Sequence, residues 1–156
     1  AEENFMIMKL KDGNVIIELF NDIAPNHVKR FKKLSEEKKY DGVVFHRVID
    51  GFMAQTGDPK GNGTGGSGQN IPAEFNSLPH IRGTVSMARA QNPDSADSQF
   101  FICFKESSFL NGQYTAWGQV IEGMEFVDKI KKGSGDNGMV DNPDKIISMR
   151  LAKEVN

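Results

Sequence analysis

Apolar residues along this chain gather into short runs separated by turn residues. Phe5–Leu10 and residues 15–20 are two such runs around Lys11-Asp12-Gly13-Asn14, which predicts an opening β-hairpin. Met6, Met8 and Leu10 alternate with Phe5, Ile7 and Lys9, so both faces of the first strand are expected to be partly buried. The period then changes. Val28, Phe31 and Leu34 recur at helical spacing behind Pro25, which suits a first helical position. Lys29, Arg30, Lys32 and Lys33, with Glu36 and Glu37, occupy the other face and read as a solvated helix surface ended by Tyr40-Asp41-Gly42. Next, Val43, Val44, Phe45, Val48 and Ile49 precede Asp50-Gly51, and Phe52, Met53 and Ala54 follow it. This predicts two short strands and a tight Asp-Gly turn. Residues 83–88, 99–104, 114–120 and 146–151 are further strands, with a short unassigned run at 73–75. Met124, Val127 and Ile130 mark a second helix closed by Gly133, and residues 133–144 form a polar loop. About eight short strands, two helices and no internal repeat predict a mainly β fold, a closed eight-stranded antiparallel barrel.

Composition narrows the function classes. At 156 residues the chain is expected to be one domain, 1–156. A formal net charge of −2, with no basic stripe, argues against nucleic acid as a partner. No apolar run is long enough for a membrane span, so no membrane partner is expected. The single cysteine, Cys103, excludes an intramolecular disulfide and sits in an apolar strand as a core filler. His27, His46 and His80 are scattered, without metal-ligand spacing, so no metal and no cofactor is expected. There is no Gly-x-Ser-x-Gly elbow, and no carboxylate lies in an apolar context suited to acid catalysis.

Two stretches carry candidate chemistry. In the first, residues 45–59 (FHRVIDGFMAQTGDP), one cation, Arg47, stands among apolar strand residues. Such a guanidinium either snorkels from the sheet edge or sits at the rim of an apolar pocket, where its fixed donors can meet a ligand. The second stretch, residues 98–104 (SQFFICF), favours the pocket. Phe101 and Cys103 share one strand face, and Phe100, Ile102 and Phe104 share the other. Phe52, Met53, Phe101 and Leu110 could line an apolar socket. Gln55 shares a strand face with Met53, and Gln99 shares one with Phe101. Between the two stretches, Gly61-Asn62-Gly63-Thr64-Gly65-Gly66 formally satisfies G-x-G-x-x-G. The continuation is not helical, so the loop reads better as backbone lying close to a peptide than as a nucleotide site.

These blocks, with NGTGGSG, SMARAQNPDSADSQFFI and FLNGQYTAWGQVIEGMEFVDKI, resemble the cyclophilins, which are peptidyl-prolyl cis-trans isomerases. The likeness covers almost the whole chain and is nearest to bacterial single-domain members. It implies an eight-stranded barrel with a helix over each open end and a ligand site on its outer surface. It implies isomerisation of Xaa-Pro bonds in peptides and unfolded proteins, assisting folding, with Arg47 as the catalytic arginine. Phe52, Met53, Gln55, Phe101 and Leu110 match the proline pocket and its polar rim. Ala88 and Ala90 flank Arg89, which matches a backbone peptide binder, and Gln99 matches a rim glutamine. Gly63 falls in the loop beside a neighbouring pocket. Three positions depart from the common eukaryotic pattern: Arg89 replaces asparagine, Phe109 tryptophan and Tyr114 histidine. Phe109 lacks an indole N–H, so cyclosporin is expected to bind more weakly than in tryptophan-bearing members. Proline-containing polypeptides are the expected partners, and a monomer is expected. The Ala-Glu-Glu start fits a chain that lost its initiator Met, which points to the cytoplasm. It also fits a mature end left by a signal peptidase, which keeps the periplasm or export as the alternative. The competing reading from another class is a proline-peptide binding module or holdase.

Overall fold

The computed structural model describes residues 2–155. Among these, eight strands form one antiparallel sheet: β1 (Phe5–Leu10), β2 (Gly13–Leu19), β3 (Arg47–Ile49), β4 (Met53–Thr56), β5 (Thr84–Met87), β6 (Phe100–Cys103), β7 (Ala116–Glu122) and β8 (Ser148–Leu151). Their order is β3-β4-β6-β5-β7-β2-β1-β8. The expected strand number and direction are met. The seam between β3 and β8 is irregular. Val44 bridges Lys145, Phe45 N–H donates to the Asp144 carbonyl at 2.8 Å, and Gly42 N–H to the Ile146 carbonyl at 2.7 Å. One isolated bridge and these two hydrogen bonds therefore join the sheet's edges where a regular ladder was expected, and residues 43–45 form no strand of their own.

The first helix, α1 (Pro25–Glu36), buries His27, Val28, Phe31 and Leu34. It ends four residues earlier than the Tyr40 boundary predicted. Lys38 takes a left-handed φ of 60°, which breaks the helix. Tyr40 is then pulled into the core, where its hydroxyl donates to the Ser98 carbonyl at 2.8 Å. The rings of Phe31, Tyr40, Phe100 and Trp117 interlock there, with Phe31 and Trp117 centroids 4.3 Å apart. These edge-on and tilted contacts suit aromatic quadrupoles and anchor α1 over the barrel. The unassigned residues 73–75 are not a strand. Glu74 instead accepts from the N–H groups of Asn26 and His27, at 3.2 and 2.9 Å, and so caps α1 from a distant loop.

A short second helix, α2 (Met124–Asp128), covers the other side through Val127, and a third, α3 (Ala152–Val155), lies beyond β8 and was not predicted. Inside the barrel, Met6, Met8, Val15, Ile17, Val85, Phe100 and Ile102 belong to one buried cluster. A second, smaller cluster is Met53, Phe101, Cys103 and Leu110, edged by Phe52, Ala88 and Tyr114. Strand alternation separates the two clusters across β6.

Candidate active site

The smaller cluster is the wall of a cavity of about 260 Å³ on the outer face of the sheet. Phe52, Met53, Phe101, Phe109, Leu110 and Tyr114 line it, with Ala88, Arg47, Gln55 and Arg89. Ten of the thirteen residues singled out from the sequence therefore meet here. The other three, Gly63, Ala90 and Gln99, line a more polar cavity of about 590 Å³ beside it, which Gln55, Ala88 and Arg89 share.

β3 and β4 bring Arg47 opposite Gln55 and Ile49 opposite Met53. Asp50, Gly51 and Phe52 form the turn, with Phe52 N–H donating to the Ile49 carbonyl and Gly51 at φ 75°. That conformation favours glycine. β4 then pairs with β6, so Gln55 faces Phe101 and Met53 faces Cys103. Leu110 arrives from a one-turn 3₁₀ segment, Ser108–Leu110. Phe109 on that segment is 70% exposed, and its ring lies 5.6 Å from that of Phe52. The cavity thus has a buried floor and an aromatic rim open to water.

Arg47 is half-buried and firmly held. Its Nε donates to the Asn137 carbonyl at 2.8 Å and its Nη1 to Gln55 Oε1 at 3.2 Å. A guanidinium has five N–H donors, so three remain for a ligand. A relay fixes the geometry behind it. Gln99 Nε2 donates to the Gly63 and Gly65 carbonyls at 3.0 and 2.9 Å, which turns its Oε1 towards Gln55 Nε2, 2.9 Å away. Gln55 must then present its oxygen to Arg47. The glycine-rich loop and the cation are therefore mechanically linked. Asp58 holds that loop from beneath, accepting from Lys60, Asn62 and Gly63 N–H at 2.8, 3.1 and 2.6 Å. Burial opposes ionisation of Asp58, yet these backbone donors hold its carboxyl below the usual range. Two backbone donors of the G-x-G-x-x-G stretch, Asn62 and Gly63 N–H, thus face a carboxylate of the chain itself, and no helix follows the stretch.

Two buried groups support Phe101. His80 stacks with its ring, centroids 6.2 Å apart. His80 Nδ1 lies 3.0 Å from Asn111 Oδ1, an acceptor, so Nδ1 carries the proton and Nε2 accepts from Ser86 Oγ at 2.8 Å. Burial pushes the His80 pKa down, against the Asn111 hydrogen bond. Cys103 packs behind Met53 and Phe101 in the same cluster, and burial pushes its thiol up to about 12, so it packs as a neutral side chain. Among the described residues, no group of three or more His, Cys, Asp or Glu side chains could hold a metal ion. Among the described residues no helix is long and apolar enough to cross a membrane.

Asn137, His80 and Ser86 were not singled out from the sequence. Asn137 acts through its carbonyl, which no residue type betrays. His80, in the loop before β5, and Ser86, on β5, stand behind the cavity wall.

Comparison with known proteins agrees with this architecture. The model of the cyclophilin type peptidyl-prolyl cis-trans isomerase/CLD family matches residues 5–151. A probable peptidyl-prolyl cis-trans isomerase of Brucella suis is 60% identical over 162 residues, covering 96% of this chain and 83% of that protein. A cyclophilin from Hirschia baltica superposes with a TM-score of 0.89 at 28% identity, covering 100% of this chain and 76% of the other. A Cryptosporidium parvum cyclophilin type isomerase, solved in the presence of the dipeptide Ala-Pro, has a TM-score of 0.86 at 31% identity, covering 94% and 98%. With the family model spanning nearly every residue and the barrel shared with these structures, this chain belongs to the cyclophilin-type peptidyl-prolyl cis-trans isomerases.

Proposed function

We propose that Arg47 and the apolar cavity perform this isomerisation without covalent chemistry. The observation that carries the reading is a guanidinium held by Asn137 and Gln55 on the wall of a cavity of about 260 Å³ whose floor is Phe52, Met53, Phe101 and Leu110, with three donors to spare. The barrier to rotating an Xaa-Pro bond, about 18–20 kcal/mol, comes from lost amide resonance. Uncatalysed exchange takes tens to hundreds of seconds. Reaching about 1–1000 turnovers per second needs only about 3–7 kcal/mol of differential stabilisation. As the bond twists, the proline nitrogen becomes pyramidal and regains a lone pair. A donor aimed at it binds the twisted state better than either planar isomer. A charge-assisted hydrogen bond in a partly dry cavity is of this magnitude. Phe52, Met53, Phe101 and Leu110 seat the ring. Gln55 and Gln99 hold Arg47 and meet the substrate backbone, with Ala88, Arg89 and Ala90 along the peptide's path and Gly63 beside it. Tyr114 and Phe109 close the rim.

Arg47→Ala tests this. Exchange NMR on an Ala-Pro peptide should show turnover falling about 100- to 1000-fold, with the unfolding midpoint nearly unchanged. Unchanged turnover would sink the mechanism. Peptide binding without acceleration in the unaltered protein would instead favour a binding module.

Two further readings belong here. Cyclosporin binds more weakly here than in tryptophan-bearing members because Phe109 offers no N–H, and Phe109→Trp should raise calorimetric affinity several-fold; no gain would refute it. The working compartment is the cytoplasm, supported by a lone cysteine buried as a thiol. Fractionation of cells making the natural gene product tests this, and recovery from the periplasm would refute it.

A further inference from the structure

The chain has five arginines. Three are neutralised: Arg30 pairs with Asp97, Arg82 with Asp128 and Arg150 with Asp41. Among the described residues, the two with no carboxylate partner are Arg47 and Arg89, and both line the same cleft. Arg47 is accounted for by the isomerisation. Arg89 is not.

Arg89 lies where the two cavities meet and lines both. Its guanidinium is anchored entirely by neutral groups. Nε and Nη2 donate to the Gln113 carbonyl at 3.1 and 2.6 Å, and Nη1 donates to the Ala90 and Gln91 carbonyls at 2.9 and 3.2 Å. The carbon of the guanidinium sits 4.6 Å over the Tyr114 ring. These contacts immobilise the cation without cancelling its charge, and one Nη2–H remains undirected to protein. The polar cavity reinforces the sign. Lys60 lines it without a carboxylate partner among the described residues, whereas Asp97, the acid that lines it, is bound to Arg30 at 2.8 Å and to Ser67 and Gly68. A peptide whose proline occupies the apolar cavity thus passes a fixed, uncompensated positive charge.

We infer that Arg89 is a specificity-determining residue, favouring peptides with an acidic side chain within two residues of the isomerised proline. The inference rests on the proline ring entering the apolar cavity. A preorganised guanidinium loses little entropy on meeting a carboxylate, unlike a mobile surface lysine. The same arrangement disfavours a cation at that position.

The test is a panel of pentapeptides, Ala-Ala-Pro-Ala-Ala, with Glu, Gln or Lys placed in turn at each alanine. Exchange NMR at low ionic strength gives kcat/KM for each. At one position or more, Glu should exceed Gln by about three- to tenfold and Lys should fall below Gln. The Glu/Gln ratio should shrink in 0.5 M salt, because the contact is partly solvated. Arg89→Gln should bring the ratio to about one, and Arg89→Lys should restore part of it. A merely structural arginine would lower all peptides together and leave the ratio alone. A ratio of one at every position, or a ratio surviving Arg89→Gln, overturns the inference. If no peptide is accelerated, the isomerase mechanism fails separately. Titration of the same panel into labelled protein then still reads the Glu/Gln affinity ratio and its loss in Arg89→Gln.

Discussion

On β6, Phe100 and Ile102 point into the barrel, and Phe101 and Cys103 point out of it. Both faces are apolar, and all four residues are buried. Their surroundings differ. Phe100 is closed in by the rings of Phe31, Tyr40 and Trp117, two of them delivered by α1 and the segment after it. Phe101 meets the edge of Tyr114 and the face of His80, and otherwise fronts a cavity covered by one 3₁₀ turn. The inner face is finished by the chain itself. The outer face fronts an open cavity. A single strand period therefore builds the barrel core on one side and the cavity wall on the other.

The largest expected effect separates these faces. Phe100→Ala should cost about 3–5 kcal/mol of stability, since the rings around it cannot collapse into the void. Phe101→Ala should cost clearly less and instead weaken peptide binding, because its cavity already opens to solvent. Urea unfolding and peptide titration on both variants would show it; equal destabilisation would break the comparison.

A smaller effect reaches the outer face through the backbone. Gly138 sits at φ 71°, and a Cβ there would lie 2.5 Å from Ile49 Cγ1 and 3.0 Å from the Val48 carbonyl oxygen. Gly138→Ala should shift the loop that presents the Asn137 carbonyl to Arg47 and cut kcat by about tenfold, for about 1–3 kcal/mol of strain. Stability lost with kcat intact would mean that this carbonyl does not position the cation.

The smallest effect is a dependence on pH that touches the folded core more than the site. His27, His46 and His80 are all buried, and burial holds each below the ordinary 6.5. The unfolded chain binds their protons first as pH falls. Stability is thus full above about 6.5 and is lost as pH drops from there towards the lowered folded values. Urea midpoints should decline from pH 7 to pH 5 while turnover per folded molecule stays level. Flat midpoints would refute the histidine assignment.

The strands were legible wherever alternation was strict. Phe101 and Cys103 separate from Phe100 and Ile102 by period alone, and the turn after Ile49 announces itself by Asp50-Gly51. The misses share one cause. Residues 43–45 have strand composition but meet only the irregular seam. The helix expected to run to Tyr40 stops at Glu36, because core packing of the Tyr40 ring outweighs helical continuity. Glu74, in a run with no pattern, caps a helix 47 residues earlier. Each depends on a partner distant in the chain, which local propensity does not encode.

By itself, the order of residues determined the β architecture, the two faces of the pocket strand and the identity of the cation and its apolar neighbours. These follow from side-chain period and chemical type, which are local properties. Tertiary structure alone decided how Arg47 is aimed, since a carbonyl 90 residues away and a relay of two glutamines hold it. It also decided that Arg89 keeps its charge unpaired at the junction of two cavities. Electrostatic neutralisation is a matter of distance in space, and only the fold sets those distances.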